Sequence, residues 1–301
     1  MVRGSWLGKP MLTAVSGDAP FLARLAAGTF SGRVHSIFAQ VINIVSTDDE
    51  LYSLTTDGMD PGPLSLRVAI GKPWPEWPIT AGDAVLSAEG ILTVGSVPVV
   101  WRTAAVWQGI LPSFPRWSPP EGRAVLDSLA AEIRRQGRPG GMLELLLPSG
   151  TADVTARTLK QRAENLLAAL AAADWPAADT AAVRLLGLGG GLTPSGDDFC
   201  CGLLMAVNMA AGPFSEEYRR FGQRLVLAAT SRTTDISAAM LRQAATGRAR
   251  ERVLLLLRQL ASGDMAPIKA ALAPVLAIGS LSGTDLTVGL YAGLELGNNK
   301  I

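Results

Sequence analysis

The chain has 301 residues, of which 48% are hydrophobic and 18% are charged, with 27 Lys and Arg against 26 Asp and Glu. This composition argues against an intrinsically disordered chain. The balanced charge argues against nucleic-acid binding, which needs a basic surface to neutralise phosphates. Because no apolar run approaches the roughly 18–20 residues that span a bilayer, we expect no membrane contact.

One histidine and two cysteines limit the metal and nucleophilic chemistry that the chain can carry out. Most zinc sites need several Cys or His ligands at set spacings, so they are not expected here. Cys200 and Cys201 are adjacent and cannot form an ordinary disulfide with each other, which favours a reducing cytoplasm. His35 is a catalytic candidate because histidine exchanges protons near neutral pH, but a lone histidine in a predicted strand is usually structural.

The first part of the chain predicts one helix followed by short strands. The helix covers about 20–27 and is stopped by Gly28. Runs of β-branched residues then alternate with turn signals such as Asp57-Gly58 and Glu89-Gly90. The predicted strand segments are 33–45, 64–70, 84–86, 91–94, 97–101 and 104–107. Many short strands at this spacing are typical of a small β-barrel or sandwich.

A proline-rich segment, residues 111–120, follows these strands and is predicted to be an inter-domain linker because proline interrupts regular structure. Beyond it, apolar residues recur at helical spacing. The predicted helices there include 176–186, 195–211, 215–230, 235–246, 249–261, 265–276 and 283–295. We therefore predict an α+β protein with a mainly β N-terminal domain over residues 1–118 and a mainly α-helical domain over residues 119–301.

The most informative stretch is rich in glycine and runs from Gly187 to Asp198. Glycine inside a helix costs roughly 1 kcal/mol relative to Ala, so the pattern predicts a loop and then a helix N-terminus with unpaired N–H groups. These amides could hold a phosphate or carboxylate. Alternatively, the two acids could hold Mg²⁺ or orient a substrate amide, or a hydroxyl could simply cap the helix. The candidates are Gly189, Gly190, Gly191, Thr193, Ser195, Gly196, Asp197 and Asp198.

A partial copy of this stretch begins at Ser282. Residues 195–203 match residues 282–290 at a serine, two glycines, an aspartate and a leucine. Two such helix starts could face one cleft, with Asp198 and Asp285 in corresponding positions. Chance similarity between two ordinary helix caps is the alternative. The candidates in the second copy are Ser282, Gly283, Thr284 and Asp285.

A third segment, residues 230–237, combines several hydroxyls with one arginine beside a predicted helix start. An arginine fork and neighbouring hydroxyls suit an oxyanion. The alternative is a hydroxyl-rich helix junction with a surface arginine. The candidates are Arg232, Thr233, Thr234 and Ser237.

The stretch 187–199 resembles the signature of DUF2877, a family of bacterial proteins. Residues 32–38, 233–237 and 278–285 agree with it, and the resemblance extends from about Gly28 to Leu296. Members of that family include a subunit of bacterial oxamate carbamoyltransferase. That enzyme converts oxalurate and phosphate to oxamate and carbamoyl phosphate in allantoin breakdown, together with an FdrA-like and a DUF1116-type subunit.

The resemblance implies that the chain is one component of such a carbamoyl-transferring assembly. The loop 189–196, with Arg232, Thr233 and Thr234, would then stabilise anionic charge. Asp198 and Asp285 would orient the amide nitrogen or a metal, and Mg²⁺ is the one cofactor considered. Two alternatives stay open: a non-catalytic metabolite-binding or scaffolding subunit, and an independent Mg²⁺-dependent enzyme acting on phosphorylated small molecules.

Overall fold

The computed structural model describes residues 11–148 and 153–300, and the chain divides into two compact units between Gly109 and Ile110. The first unit is mainly β and the second is mainly α-helical, which confirms the predicted α+β class and the order of its two parts.

The described part of the first unit contains nine strands, one α-helix and a short 3₁₀ helix, Trp74–Glu76. The strands are β1 (Leu12–Asp18), β2 (Ser31–Ile37), β3 (Val41–Ser46), β4 (Leu51–Thr56), β5 (Ser65–Ala69), β6 (Ala84–Ala88), β7 (Ile91–Val94), β8 (Val97–Val100) and β9 (Ala105–Trp107). The helix, α1 (Ala19–Ala26), follows β1 directly.

Eight of these strands close into a barrel. Their order is β5-β4-β3-β2-β6-β7-β8-β1, and β1 closes the ring by pairing antiparallel with β5. The ninth strand, β9, pairs with β1 beyond the end of β8. Large apolar side chains fill the interior, among them the fully buried Phe21 and Trp74.

The strand prediction needs correction at three places. The single run predicted over 33–45 is two antiparallel strands, β2 and β3, because the chain turns where the N–H of Phe38 donates to the carbonyl of Val41. The strands β1 and β4 were not predicted, and they supply two of the eight barrel strands. Sequence reasoning therefore recognised a barrel-like pattern without finding the strand that closes it.

The second unit has nine α-helices in its described residues. They are α2 (Pro119–Gln136), α3 (Val154–Ala171), α4 (Trp175–Leu185), α5 (Ser195–Val207), α6 (Glu216–Ala229), α7 (Asp235–Ala245), α8 (Glu251–Leu260), α9 (Met265–Leu276) and α10 (Ser282–Asn298). A short 3₁₀ helix, Met142–Leu146, lies between α2 and α3. Across the described residues, none of the helices is both long and apolar enough to span a membrane.

The proline-rich segment behaves differently from the linker that was predicted. Leu111, Phe114 and Trp117 are buried within the second unit. Pro119 and Pro120 begin α2 after a Ser118–Glu121 capping box, because the first turn of a helix tolerates residues without an N–H donor.

The centre of the second unit is the contact between α5 and α10. A Cβ atom on Gly202 would lie 2.0 Å from the carbonyl oxygen of Leu286, and one on Gly289 would lie 2.0 Å from that of Phe199. The two helices therefore touch backbone to backbone at glycines. Gly202 and Gly289 are the matching glycines of the repeated pattern, so the repeat corresponds to two structurally equivalent helices.

The two helices run in parallel. Further along α10, a Cβ atom on Gly293 would lie 2.5 Å from the Cβ of Ala206 and 3.2 Å from the carbonyl oxygen of Leu203, so the contact advances along both helices in the same direction. Parallel packing brings the first turns of α5 and α10 together. This is where the acidic residues of both copies lie.

Candidate functional site

The glycine-rich loop needs glycine for its backbone conformation. Gly187, Gly189 and Gly191 have φ angles of 72°, 119° and 90°, which residues other than glycine rarely adopt. A Cβ atom on Gly189 would also lie 2.6 Å from the backbone nitrogen of Ser195, whereas Gly190 and Gly191 have open space around them. The loop therefore folds back onto the start of α5 and exposes its tip.

The first-turn amides of α5 are not unpaired, contrary to the sequence prediction. The N–H of Gly196 donates to the carbonyl of Leu188 (2.9 Å), and those of Asp197 and Asp198 donate to the carbonyl of Pro194 (2.9 and 3.1 Å). Only the bond to Leu188 comes from the loop, because the two bonds to Pro194 belong to the first turn of the helix itself, and α5 has no side-chain cap. Gly190 and Gly191, at the tip of the loop, are exposed.

Asp197 fastens the loop to the start of α7. Its carboxylate accepts a hydrogen bond from the N–H of Gly187 (2.9 Å) and another from the hydroxyl of Thr233. Burial raises the pKa of Asp197, and hydrogen bonds from Thr233, Gly187 and Ser237 partly oppose that rise. Asp197 therefore ties the loop to the residues before α7, and its assignment as a catalytic residue stays a prediction.

Thr234 makes a second connection between the loop and α7. Its hydroxyl donates to the carbonyl of Leu192 (2.7 Å) and accepts from the N–H of Ser237 (3.1 Å), which caps α7. The buried Ser237 lies in the first turn of α7. The segment over 230–237 is thus a capped helix start that also holds the glycine loop.

The loop also reaches α10, where the two acids meet. The hydroxyls of Thr193 and Ser282 are 2.8 Å apart. Asp198 and Asp285 are 1% and 0% exposed, and Oδ2 of each carboxyl has no hydrogen-bond partner among the described residues. No described Lys or Arg forms an ion pair with either carboxyl.

The acids and serines of the two copies interact reciprocally. The Ser282 and Thr193 hydroxyls lie close enough to Asp198 to lower its pKa, and the Ser195 hydroxyl has the same effect on the pKa of Asp285. Each serine is the first residue of one helix and lies near the acid of the other helix. The two helix starts therefore form a pair with approximate two-fold symmetry.

Burial favours the neutral form of both acids. It raises the pKa of Asp198 to about 8, with a further rise from the charge of Asp285 and an opposing effect of the Ser282 hydroxyl. Burial raises the pKa of Asp285 to about 6, opposed by hydrogen bonds from Ser195 and from the N–H of Met142. At neutral pH the pair therefore holds about one proton, which it can give or take.

A segment that sequence reasoning missed completes the surroundings of Asp285. The N–H of Met142 donates to Oδ1 of Asp285 (2.6 Å), and the N–H of Arg138 donates to the hydroxyl of Thr284 (3.0 Å). The available signal was the sequence Gly137-Arg138-Pro139-Gly140-Gly141, a second glycine cluster between helices.

The remaining candidates are placed as follows. A Cβ atom on Gly283 would lie 2.0 Å from the carbonyl oxygen of Val275, which requires glycine at that point in α10. The side chain of Arg232 is exposed next to Thr233. His35 lies in β2 of the first unit, where its Nδ1 is 3.0 Å from the hydroxyl of Ser36, whereas the other candidates all lie in the second unit.

No metal-ligand set marks this site in the described part of the chain. Within residues 11–148 and 153–300, no three His, Cys, Asp or Glu side chains are grouped as metal ligands. A cavity of about 460 Å³ lies elsewhere in the second unit, lined by residues of α3 and α4 that include Arg162 and Arg184. Both acids are buried, so a ligand reaches them only if the residues around them move.

Two family models match the chain. The model described as oxamate carbamoyltransferase subunit AllH matches residues 185–294, and the model described as the AllH family N-terminal domain matches residues 13–106. Together they cover well over half of the chain. No curated protein matches it, and no solved structure does.

Proposed function

Because the chain belongs to the AllH family of oxamate carbamoyltransferase subunits, we propose that it binds the small anionic amide on which such a complex acts. The ligand is held between the glycine loop and the acids of α5 and α10. The complex transfers the carbamoyl group of oxalurate to phosphate, which gives oxamate and carbamoyl phosphate. The complex works in the cytoplasmic breakdown of allantoin, and its other subunits are FdrA-like and DUF1116-type proteins.

The observation that carries this proposal is the buried pair Asp198 and Asp285, each with one unpartnered carboxyl oxygen. An amide presents a carbonyl acceptor and an N–H donor side by side. A pair of carboxyls with one proton presents the complementary donor and acceptor. Leaving such groups unpaired in a buried site is costly, so a ligand amide that pairs with both oxygens is favoured.

The same pair can serve the chemistry. In the phosphorolysis of oxalurate, an oxygen of hydrogen phosphate bonds to the carbamoyl carbon, and the bond from that carbon to the oxamate nitrogen breaks. The nitrogen gains the proton that hydrogen phosphate loses, so the step balances. Of the two acids, the ionised carboxyl accepts the proton from hydrogen phosphate, and the protonated carboxyl donates a proton to the leaving nitrogen.

The exposed loop residues Gly190 and Gly191 stabilise the negative charge of the ligand together with Arg232, whose carbonyl lies beside Gly187. Entry requires the loop to lift from α10. The contact between Thr193 and Ser282 is the connection that opens, and the glycines permit the backbone change.

The test is Asp198→Asn in the complex reconstituted with its partner subunits. We expect turnover to fall by at least roughly 100-fold, the effect typical of a lost acid–base group, with an unchanged helical circular dichroism signal. Asp127→Asn is the matched control, because this aspartate on α2 is 68% exposed. Turnover of the Asp198 variant equal to that of the control would remove Asp198 from the mechanism.

Assaying the chain alone and then with its partners separates catalysis from binding. A variant that binds oxamate weakly yet supports full turnover would assign the chemistry to the partner subunits. The chain would then be the metabolite-binding or scaffolding subunit.

A further inference from the structure

We propose that the segment 137–142 forms a third wall of this site and that Arg138 binds the anionic end of the ligand. The identity of the ligand, a small amide or ureide with an adjacent carboxylate or phosphate, rests on the proposed function. The segment lies outside both regions that the family models match.

The segment is fastened to the same turn of α10 that carries the acid. Backbone N–H groups at its two ends donate to consecutive residues, Arg138 to Thr284 and Met142 to Asp285. Thr284 and Asp285 are both fully buried. The position of the segment is therefore fixed relative to the acid pair.

Two glycines let the segment approach this closely. A Cβ atom on Gly141 would lie 2.4 Å from Oδ1 and 2.8 Å from Oδ2 of Asp285. One on Gly137 would lie 3.0 Å from a methyl carbon of Thr284. Any side chain at position 141 would displace the carboxyl, so the unpartnered Oδ2 of Asp285 lies directly against the segment.

The Arg138 guanidinium has donors left for an anion. Its Nη1 donates to the carbonyls of Gly279 (2.7 Å) and Ser280 (2.9 Å), in the loop before α10. These bonds occupy the two hydrogens of Nη1 and leave Nε and Nη2, the fork that binds a carboxylate or phosphate in bidentate fashion. Among the described residues, no Asp or Glu forms an ion pair with Arg138.

The charge of the site points to the same role. The acid pair suits an amide but repels an anion, so a substrate that carries both groups needs a cation beside the acids. Arg138 is held next to the first turn of α10 by two backbone carbonyls, so little side-chain entropy is lost when it binds the ligand.

The test is Arg138→Ala in the full chain, with binding measured by calorimetry. Oxamate and inorganic phosphate are the two anionic probes, and they separate the carboxylate from the phosphate source. Methyl oxamate is the neutral probe, because it keeps the amide and lacks the charge. We expect affinity for at least one anion to fall roughly 10- to 100-fold, the size of a charge-assisted hydrogen-bond pair, and affinity for methyl oxamate to change little.

Arg134→Ala is the matched control, since Arg134 is an exposed arginine in the last turn of α2, shortly before the segment. Added guanidinium should partly restore anion binding to Arg138→Ala, and Arg138→Lys should retain part of it. Equal affinities in the Arg138 and Arg134 variants would overturn the proposal. So would an equal loss for methyl oxamate, because it would show that Arg138 only supports the loop before α10.

These readouts do not depend on turnover. A complex that fails to transfer carbamoyl groups while the full chain keeps its Arg138-dependent anion binding would refute the proposed function and leave this inference standing. Turnover that survives in Arg138→Ala with an unchanged KM would refute this inference and leave the proposed function standing.

Discussion

Replacing Asp198 by asparagine should change how the stability of the second unit depends on pH. Asparagine has nearly the same shape as a protonated aspartic acid and does not titrate. In the wild-type chain, burial raises the pKa of Asp198 from 3.8 to about 8, so the folded state retains a proton that the unfolded state releases. A folded state that binds more protons loses stability as the pH rises.

The magnitude follows from one proton. Between the pKa values of about 6 for Asp285 and about 8 for Asp198, the Asp285 carboxyl is ionised and Asp198 keeps its proton only in the folded state. Each pH unit in this window should lower the free energy of unfolding by about 1.4 kcal/mol relative to the asparagine variant. Across the window the difference is roughly 3 kcal/mol.

Urea unfolding at several pH values, followed by helical circular dichroism, measures this difference. The signal reports mainly the second unit, which contains α2–α10. The free energy of unfolding of the control Asp127→Asn should change with pH in the same way as that of the wild type. If the free energy of unfolding of Asp198→Asn had the same pH dependence as well, Asp198 would not hold a proton in the folded state. The proton transfer assigned to the pair would then be wrong.

The remaining predictions concern the packing that builds the site. Gly202→Ala places a Cβ atom 2.0 Å from the carbonyl oxygen of Leu286. This substitution should lower the free energy of unfolding by about 3 kcal/mol or more. In the control Gly190→Ala, the new Cβ atom enters open space and should change the free energy of unfolding little. Thermal melting of both variants measures the difference. Thr233→Val removes the hydroxyl that donates to Asp197 and should cost about 1–3 kcal/mol, while Thr233→Ser should retain wild-type stability in urea unfolding.

Local patterns in the sequence predicted the parts of the site that local backbone chemistry determines. Gly187, Gly189 and Gly191 adopt positive φ, so the cluster could be recognised as a loop before a helix. The repeat was recognisable because the contact at Gly202 and Gly289 requires a small residue at the same spacing in both helices.

Long-range contacts account for what sequence reasoning missed. Arg138 and Thr284 meet across 146 residues of chain, and no local pattern marks such a pair. The closing strand β1 lies far from β5 in sequence for the same reason. The N–H of Gly196 was predicted to be free because its bond to the carbonyl of Leu188 depends on how the glycine loop folds back, which the sequence pattern does not specify.

Arg162 and Arg184 mark the place in the second unit where a small anion could otherwise bind, in the cavity lined by α3 and α4. An experimental structure of the full chain with oxamate decides between the two places. Our account predicts the amide of oxamate against Asp198 and Asp285, its carboxylate on Arg138, and the Thr193–Ser282 contact broken. Oxamate in the α3–α4 cavity, with the acid pair still covered by the loop, would contradict it.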